Sequence, residues 1–252
     1  TFAFADGTAA LLQPRFPVTL MGPCPFLERN VPMKDVIFFD LDGTLTKSEE
    51  GIIRCVQYAL RELGMPVPAK KDLFYFIGPP LVDSFLTLPG FTEAMALEAT
   101  ALYRKRYTAI GIFENELYPG ITDLLEALDE AGFLLATASA KPEVFVRHIT
   151  DHFGLTPYFR EIGGASFDAS RRTKSAVIAE VLNRLGLQKT KERVLMVGDT
   201  AYDVEGARKI GIDCVGVTYG YGKETELAAA HPLGLAATVE ALKDGLLTHA
   251  FG

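Results

Sequence analysis

VIFFDLDGTLT, residues 36–46, is the stretch that decides the fold. Its first four residues are wholly apolar, as in a strand that is buried on both faces of a parallel sheet. Asp40 and Asp42 follow directly, and Gly43 permits a sharp turn whose backbone N–H can face an anion. Two neighbouring carboxylates repel each other unless a cation or a shared proton relieves them. The string therefore indicates a charged site at a strand end rather than a turn with incidental acids.

Four further segments have the character of buried strands, and helical segments alternate with them. In 121–131 the apolar residues recur at i, i+3, i+4 and i+7, as on the buried face of a helix. Strands that alternate with helices of this length indicate βαβ units. We therefore predict an α/β fold built on a doubly wound parallel sheet. The further predicted strands are 133–138, 161–162, 194–197 and 214–217, and the helices include 121–131 and 174–185.

The strand signal disappears between Thr46 and Tyr118. Residues 48–63 instead predict a helix with one apolar face, and residues 92–107 predict a second helix with Thr92 as its N-cap. Shorter helical pieces are expected between them. The sequence thus predicts a small α-helical domain inserted after the first strand. We expect three regions, which are an N-terminal extension (1–33), a core domain (34–46 and 119–252) and the inserted helical domain (47–118).

A second pair of acids, Asp199 and Asp203, follows the strand predicted at 194–197. In an open parallel sheet, ligands bind beyond the carboxyl ends of the strands. Oxygen ligands from separate strands suit Mg²⁺, which keeps several waters and takes few protein carboxylates. Taken alone, the two acids could equally belong to a helix N-terminus, where the dipole favours negative charge. Combined with Asp40 and Asp42, they predict a magnesium site.

Two more strand-end residues are candidates for contacting a phosphoryl group. The Ser139 hydroxyl could donate to a phosphoryl oxygen or simply cap the following helix. Thr137, two residues earlier on the same strand face, is its rival. Lys174 precedes a predicted helix and could offset charge on a phosphoryl group and on the acids. Its rivals for this role are Arg171 and Arg172, and a solvated basic patch is the alternative reading.

Composition and net charge argue against some classes of binding partner. The chain carries a formal net charge of -7 with a pI near 5.2, which argues against nucleic acid or anionic membrane as a partner. No apolar run is long enough for a transmembrane helix. Cys24, Cys55 and Cys214 form no CxxC pair, as expected for reduced thiols in a cytoplasmic protein. The basic cluster at 104–106 fits a solvated helix face, with contact to an anionic substrate as the alternative.

These motifs resemble the four motifs of the haloacid dehalogenase (HAD) superfamily, in the same order and at similar spacing. The resemblance rests on DLDGTLT at 40–46, Ser139, Lys174 and GDTAYD at 198–203, and it covers roughly residues 34–245. The helical insertion resembles the C1 cap of the subfamily that includes phosphoglycolate phosphatases and β-phosphoglucomutases. FIGPPL at 76–81 and GVTYGYG at 216–222 are most similar to the phosphoglycolate phosphatase-like branch.

The resemblance implies a role for each motif residue. Asp40 would be the nucleophile that forms an aspartyl phosphate, and Asp42 the general acid–base. Mg²⁺ would be held by the Asp40 carboxylate, the backbone carbonyl of Asp42 and the Asp199 carboxylate, with Asp203 supporting metal-bound waters or Lys174. The phosphate-binding residues would be Gly43, Ser139, Ala140 and Lys174.

The implied function is Mg²⁺-dependent hydrolysis of a small phosphorylated metabolite, such as phosphoglycolate, a nucleotide or a sugar phosphate. A phosphoglucomutase-type isomerase uses the same first motif and is one alternative. A non-catalytic phospho-acceptor module, also a doubly wound domain with strand-end acids, is another. We expect a cytoplasmic monomer or homodimer.

Overall fold

The computed structural model describes residues 34–168 and 170–251. The predicted N-terminal extension, with Cys24, lies outside these residues. Cys55 and Cys214 are buried free thiols. None of the helices in the described ranges combines the length and the apolar composition that a bilayer crossing needs.

A six-stranded parallel sheet forms the centre of the fold. Its strands are ordered β5-β4-β1-β6-β7-β8. The register sets Phe39 beside both Thr137 and Val197, so that β1 and β6 end at nearly the same level while β4 continues past them. The strands are β1 Val36–Phe39, β4 Leu134–Pro142, β5 Glu161–Ala165, β6 Val194–Gly198, β7 Asp213–Val217 and β8 Gly234–Ala236.

Helices cover both faces of this sheet. Alternate side chains of β1 enter opposite apolar clusters, with Ile37 and Phe39 in one and Val36 and Phe38 in the other. This is the arrangement expected of a doubly wound α/β fold, and it confirms the predicted fold class. The helices of these two layers are α4 Ile121–Glu130, α5 Glu143–His152, α6 Lys174–Arg184, α7 Ala201–Ile210, α8 Glu224–Ala229 and α9 Val239–Leu247.

The predicted helical insertion is present between β1 and β4. It is entered and left through a two-stranded antiparallel sheet, β2 Thr46–Lys47 and β3 Glu116–Leu117. Thr92 caps its second long helix as predicted, because its side chain accepts a hydrogen bond from the Met95 N–H. The insertion's helices are α1 Glu49–Glu62, α2 Leu81–Leu86 and α3 Glu93–Ala109, and short 3₁₀ turns lie at Lys70–Asp72, Phe74–Phe76 and Gly111–Phe113.

Among the strands, those that the sequence did not indicate are the shortest ones. Strands β2 and β3 have two residues each and β8 has three, which is too short for a hydrophobic period to show. Strand β4 was expected to end at Ala138 but continues to Pro142, because a register shift after Ser139 pairs Pro142 with Ala165.

A close backbone approach fastens the start of α1 to the end of the insertion. The Gly51 N–H donates to the Glu114 carbonyl, and a Cβ at position 51 would lie 2.0 Å from the Gly111 carbonyl oxygen. Only a residue without a side chain fits between these backbone segments.

Gly51→Ala should therefore destabilise the protein, although Ala is usually favoured over Gly inside a helix by about 1 kcal/mol. We expect a loss of about 1–3 kcal/mol in the free energy of unfolding, the usual cost of overpacking. Urea titration followed by circular dichroism measures it. Glu62→Ala, at an exposed position of the same helix, is the control and should have little effect. A more stable Gly51→Ala protein would contradict the close approach.

Candidate active site

The predicted site residues of three strands meet at one edge of the sheet. Asp40 follows β1, Ser139 lies near the end of β4, and Asp199 follows β6. The Asp40 N–H donates to the Val197 carbonyl at 2.9 Å, which extends the β1–β6 pairing up to the acid. The parallel register of the three strands therefore brings together side chains that are far apart in the sequence.

A buried lysine joins two of the predicted acids. The Lys174 Nζ lies 2.8 Å from Asp40 Oδ1 and 2.7 Å from Asp203 Oδ1, and it donates to the Ala138 carbonyl at 3.0 Å. Its side chain is 1% exposed. Burial by itself lowers the pKa of Lys174, but Asp203 and Asp40 outweigh this and raise it above the usual value. Lys174 is thus held as an ammonium ion.

The two rival arginines do not take this position. Arg171 donates to the Gly164 carbonyl and pairs with Glu143. Arg172 is exposed and lines the cavity described below. Of the three basic residues considered, Lys174 is therefore the one that neutralises the strand-end acids.

Asp199 and Asp203 are oriented by hydrogen bonds from three segments. Asp199 Oδ2 accepts from the Tyr221 N–H at 2.8 Å, and Oδ1 accepts from the Thr44 hydroxyl at 3.4 Å. Asp203 Oδ2 accepts from the N–H and hydroxyl of Thr200, forming a capping box at the start of α7. Asp203 therefore has both of the roles weighed from the sequence, because it stabilises a helix N-terminus and also pairs with Lys174.

The acids fit a divalent cation. One carboxylate oxygen from each of Asp40, Asp199 and Asp203 lies within 4.8 Å of the others. Burial raises the pKa of Asp199 well above its usual range, and the charges of Asp203 and Asp40 raise it further. Burial also raises the pKa of Asp40, more than Lys174 lowers it. Such strain between buried carboxylates is what a bound cation relieves, and hard oxygen donors suit Mg²⁺.

Asp42 is not part of this trio and pairs with a lysine that the sequence reasoning missed. Lys141 Nζ lies 2.5 Å from Asp42 Oδ2 and 5.1 Å from the centre of the Tyr107 ring. Asp42 Oδ1 is buried and has no hydrogen-bond partner among the described residues. The only sequence signal for Lys141 was its position two residues after Ser139. Any contribution of Asp42 to a metal through its backbone carbonyl stays a prediction.

The structure distinguishes Ser139 from its rival. The Thr137 hydroxyl is fully engaged, because it donates to the Gly163 carbonyl at 3.1 Å and accepts from the Gly163 N–H at 3.0 Å. The Ser139 oxygen accepts from the Lys141 N–H at 3.3 Å, and its hydroxyl faces the Asp40 carboxylate, where a hydrogen bond from it partly offsets the rise that burial causes in the pKa of Asp40. Ser139 and Ala140 both line the cavity. Ser139 is thus the strand-end hydroxyl that can reach a ligand.

Gly43 has a different role from the predicted one. Its N–H, expected to face an anion, donates to the Thr46 carbonyl at 2.8 Å within the turn. Its φ is +82°, and a Cβ there would lie 2.1 Å from Asp199 Oδ2. Gly43 therefore allows the turn after β1 to pack directly against Asp199.

A cavity of about 430 Å³ opens between the strand ends and the insertion. Its lining at the strand ends includes Asp40, Asp42 and Lys141. The basic cluster 104–106 is divided in function, since Arg104 lines the cavity, Lys105 is exposed and Arg106 pairs with Glu114. The aromatic lining residues are Phe76, Tyr103, Tyr107, Phe145 and Phe167.

Residues 37–217 match the model of the haloacid dehalogenase-like hydrolase family. This chain belongs to that family. A 5'-nucleotidase of Pseudomonas aeruginosa is 44% identical over 213 residues, which cover 84% of this chain and 96% of that protein. The tyrosine-protein kinase PtkA of Mycobacterium tuberculosis is 40% identical over 84% of this chain and 72% of its own length.

A solved structure supports the haloacid dehalogenase-like fold directly. The crystal structure of a predicted phosphatase from Clostridium acetobutylicum superposes with a TM-score of 0.82 at 39% identity, covering 86% of this chain and 99% of that one. The likeness to phosphoglycolate phosphatases holds at lower identity, 28% with the Vibrio vulnificus protein of that name. The predicted family and enzyme class, a haloacid dehalogenase-type phosphatase, are therefore confirmed.

The two strand hydroxyls should respond differently to mutation. We expect Ser139→Ala to lower kcat by about 100-fold, as for loss of one donor to developing negative charge, with little change in stability. Thr137→Val leaves a buried N–H and carbonyl unpaired, so it should cost about 1–3 kcal/mol of stability and spare the activity of the folded protein. Phosphate-release kinetics and urea unfolding of both variants measure this. The reverse pattern would assign the ligand contact to Thr137.

Proposed function

We propose that this protein is a Mg²⁺-dependent phosphatase that hydrolyses a small phosphomonoester through a phosphorylated Asp40. One observation carries the proposal. A buried carboxylate that is held by an ammonium group lines a cavity beside two further acids. A carboxylate can attack phosphorus when charge on the phosphoryl oxygens is neutralised nearby.

Lys174 and the acids contribute to charge neutralisation in different ways. Asp40, Asp199 and Asp203 would hold the cation, which supplies positive charge to the phosphoryl oxygens when bound. Asp203 keeps Lys174 protonated and in place beside Asp40. The Ser139 hydroxyl donates to a phosphoryl oxygen and so orients the group for attack by Asp40.

Asp42 is placed to act as the general acid–base. Lys141 holds one oxygen of its carboxyl group, and the other, at the cavity wall, has no hydrogen-bond partner in the part of the chain that the structure describes. That free oxygen protonates the leaving oxygen of the ester and later takes a proton from the water that hydrolyses the aspartyl phosphate. The pairing with Lys141 fixes the position of the carboxyl group for both steps.

The helical insertion would serve as a cap over the reaction. Residues 47–118 form this cap domain in our proposal, and residues 34–46 and 119–252 form the core domain. Tyr103 and Arg104 on α3 line the cavity opposite the strand ends. A cap of this kind excludes water and adds contacts to the part of the substrate that is not transferred.

The cavity favours a nucleoside monophosphate over a two-carbon phosphate ester. A volume of about 430 Å³ is typical of sites for molecules with one or two rings. The five aromatic lining residues offer ring surfaces against which a base can stack. The name of the Pseudomonas aeruginosa relative, 5'-nucleotidase, is in agreement.

Asp40→Asn should abolish phosphate release while the protein remains folded. We expect kcat to fall by at least about 10⁴-fold, because an amide cannot attack phosphorus. The measurement is phosphate release from nucleoside 5'-monophosphates with Mg²⁺, with circular dichroism as the folding check. Asp123→Asn, at an exposed position of α4, is the matched control and should retain full activity. Retained turnover in Asp40→Asn would refute the mechanism. Conversion of β-glucose 1-phosphate to glucose 6-phosphate, without free phosphate, would favour the isomerase.

The aromatic wall should control the choice of substrate. We expect wild-type kcat/KM to be higher for nucleoside 5'-monophosphates than for phosphoglycolate. Phe167→Ala should lower the nucleotide value by about 10-fold, because stacking surface is lost. The phosphoglycolate value should change little. Val144→Ala, at an exposed apolar position on α5 outside the cavity lining, is the control. A preference for phosphoglycolate in the wild type would contradict the proposed substrate class.

A further inference from the structure

Tyr221, in the segment that follows β7, contacts both the acid cluster and the helical insertion. Its backbone N–H donates to Asp199 Oδ2 at 2.8 Å. Its hydroxyl donates to Glu49 Oε2 at 2.6 Å and accepts from the Glu49 N–H at 3.1 Å. Glu49 is the first residue of α1. One residue therefore connects a proposed metal ligand to the start of the insertion.

The backbone segment around Tyr221 packs closely against Asp199. A Cβ at Gly220 would lie 2.3 Å from Asp199 Cβ, and one at Gly222 would lie 2.0 Å from the Asp199 carbonyl oxygen. The Tyr221 ring itself packs against Gly43, where a Cβ would lie 2.8 Å from the ring. Because the contacts are this close, a displacement of Tyr221 cannot be absorbed without moving the Asp199 carboxylate or lengthening its hydrogen bond.

The hydroxyl end of Tyr221 is fixed equally well. It makes two hydrogen bonds to one residue, one of them charge-assisted, and such bonds are the strong ones in proteins. The Phe74 ring of the insertion lies 6.3 Å from the Tyr221 ring. Glu49 has no hydrogen bond to any of the four aspartates among the described residues, so its influence on them runs through Tyr221.

The same segment also braces the connections to the insertion. The Tyr219 hydroxyl donates to the Thr44 carbonyl just before β2, and the Tyr219 ring packs edge-on against Tyr118, which follows β3. The segment thus holds the chain on its way into the insertion and on its way out. Tyr221 adds a direct hydrogen bond from this segment to Asp199.

We propose that Tyr221 is a positioning residue that couples the helical insertion to cation binding at Asp199. When the Tyr221–Glu49 contact is made, the Tyr221 N–H holds Asp199 in the orientation that binds the cation. By thermodynamic reciprocity, the bound cation favours the arrangement in which the start of α1 is held against Tyr221. The inference rests on the proposed function only in taking Asp199 as a ligand of the cation.

Calorimetric titration of the full chain with Mg²⁺ tests this coupling without any turnover. We expect Tyr221→Phe, which removes only the hydroxyl, to weaken Mg²⁺ binding by about 10-fold, the lower end for loss of a group that orients a metal ligand. Glu49→Ala should weaken it to a similar degree. The double variant should be no weaker than Tyr221→Phe, because both changes remove one contact.

Two further variants separate positioning from general loss of structure. Glu49→Gln keeps a side-chain oxygen and the backbone N–H for the Tyr221 hydroxyl, so its Mg²⁺ affinity should stay close to that of the wild type. Tyr58→Phe, on the same helix and remote from the acid cluster, is the matched control. Thermal unfolding of every variant confirms that it is folded, and Asp199→Asn gives the loss expected for a missing ligand.

The outcomes distinguish this inference from the proposed function. Unchanged Mg²⁺ affinity in both Tyr221→Phe and Glu49→Ala would overturn the coupling, even if the wild type hydrolyses phosphomonoesters. Failure of the wild type to bind Mg²⁺ would overturn it as well. If Mg²⁺ binding falls as expected but no phosphate ester is hydrolysed, the coupling is supported and the proposed function fails.

Discussion

The buried ammonium group of Lys174 is the interaction on which the rest of the site depends. It lies between Asp40 and Asp203 with almost no exposure to solvent. Without a positive charge there, the two carboxylates would be buried side by side with no compensation, which costs several kcal/mol per ion. With that charge in place, the Asp40 carboxylate can remain buried at the wall of the cavity. One positive charge does not balance three buried acids, and this imbalance is the physical argument for the divalent cation that we propose there.

The parallel sheet explains how these side chains come together. Strands β1, β4 and β6 are neighbours in register, so their carboxyl ends deliver Asp40, Ser139 and Asp199 to one edge without any long side chain reaching across. Helices α6 and α7 add Lys174 and Asp203 from the adjoining layer. The insertion then covers an edge that is already complete, and it contributes Tyr103, Tyr107 and Arg104 to the cavity wall. The wall is shared, because Phe145 and Phe167 of the sheet domain line the cavity as well.

Much of this could be predicted because each piece has a local signal. The apolar run before Asp40, the helical period of 121–131 and the Thr92 cap depend on residues close together in the sequence, and all three are confirmed. Local sequence signals could not decide between Ser139 and Thr137, or between Lys174 and Arg171. Thr137 is engaged by Gly163 of the neighbouring strand, and Arg171 by Glu143 of another helix. Both partners are defined only by the folded chain.

By itself, the sequence determined the fold class, the position of the helical insertion and the acids at the strand ends, because periodicity and strand-end chemistry are local properties. Only the tertiary structure decided that Asp42 pairs with Lys141 and that Tyr221 joins Glu49 to Asp199. The reason is physical. A hydrogen bond or ion pair depends on distances of a few ångströms between groups that lie up to 172 positions apart in the chain. No pattern of neighbouring residues encodes such a distance.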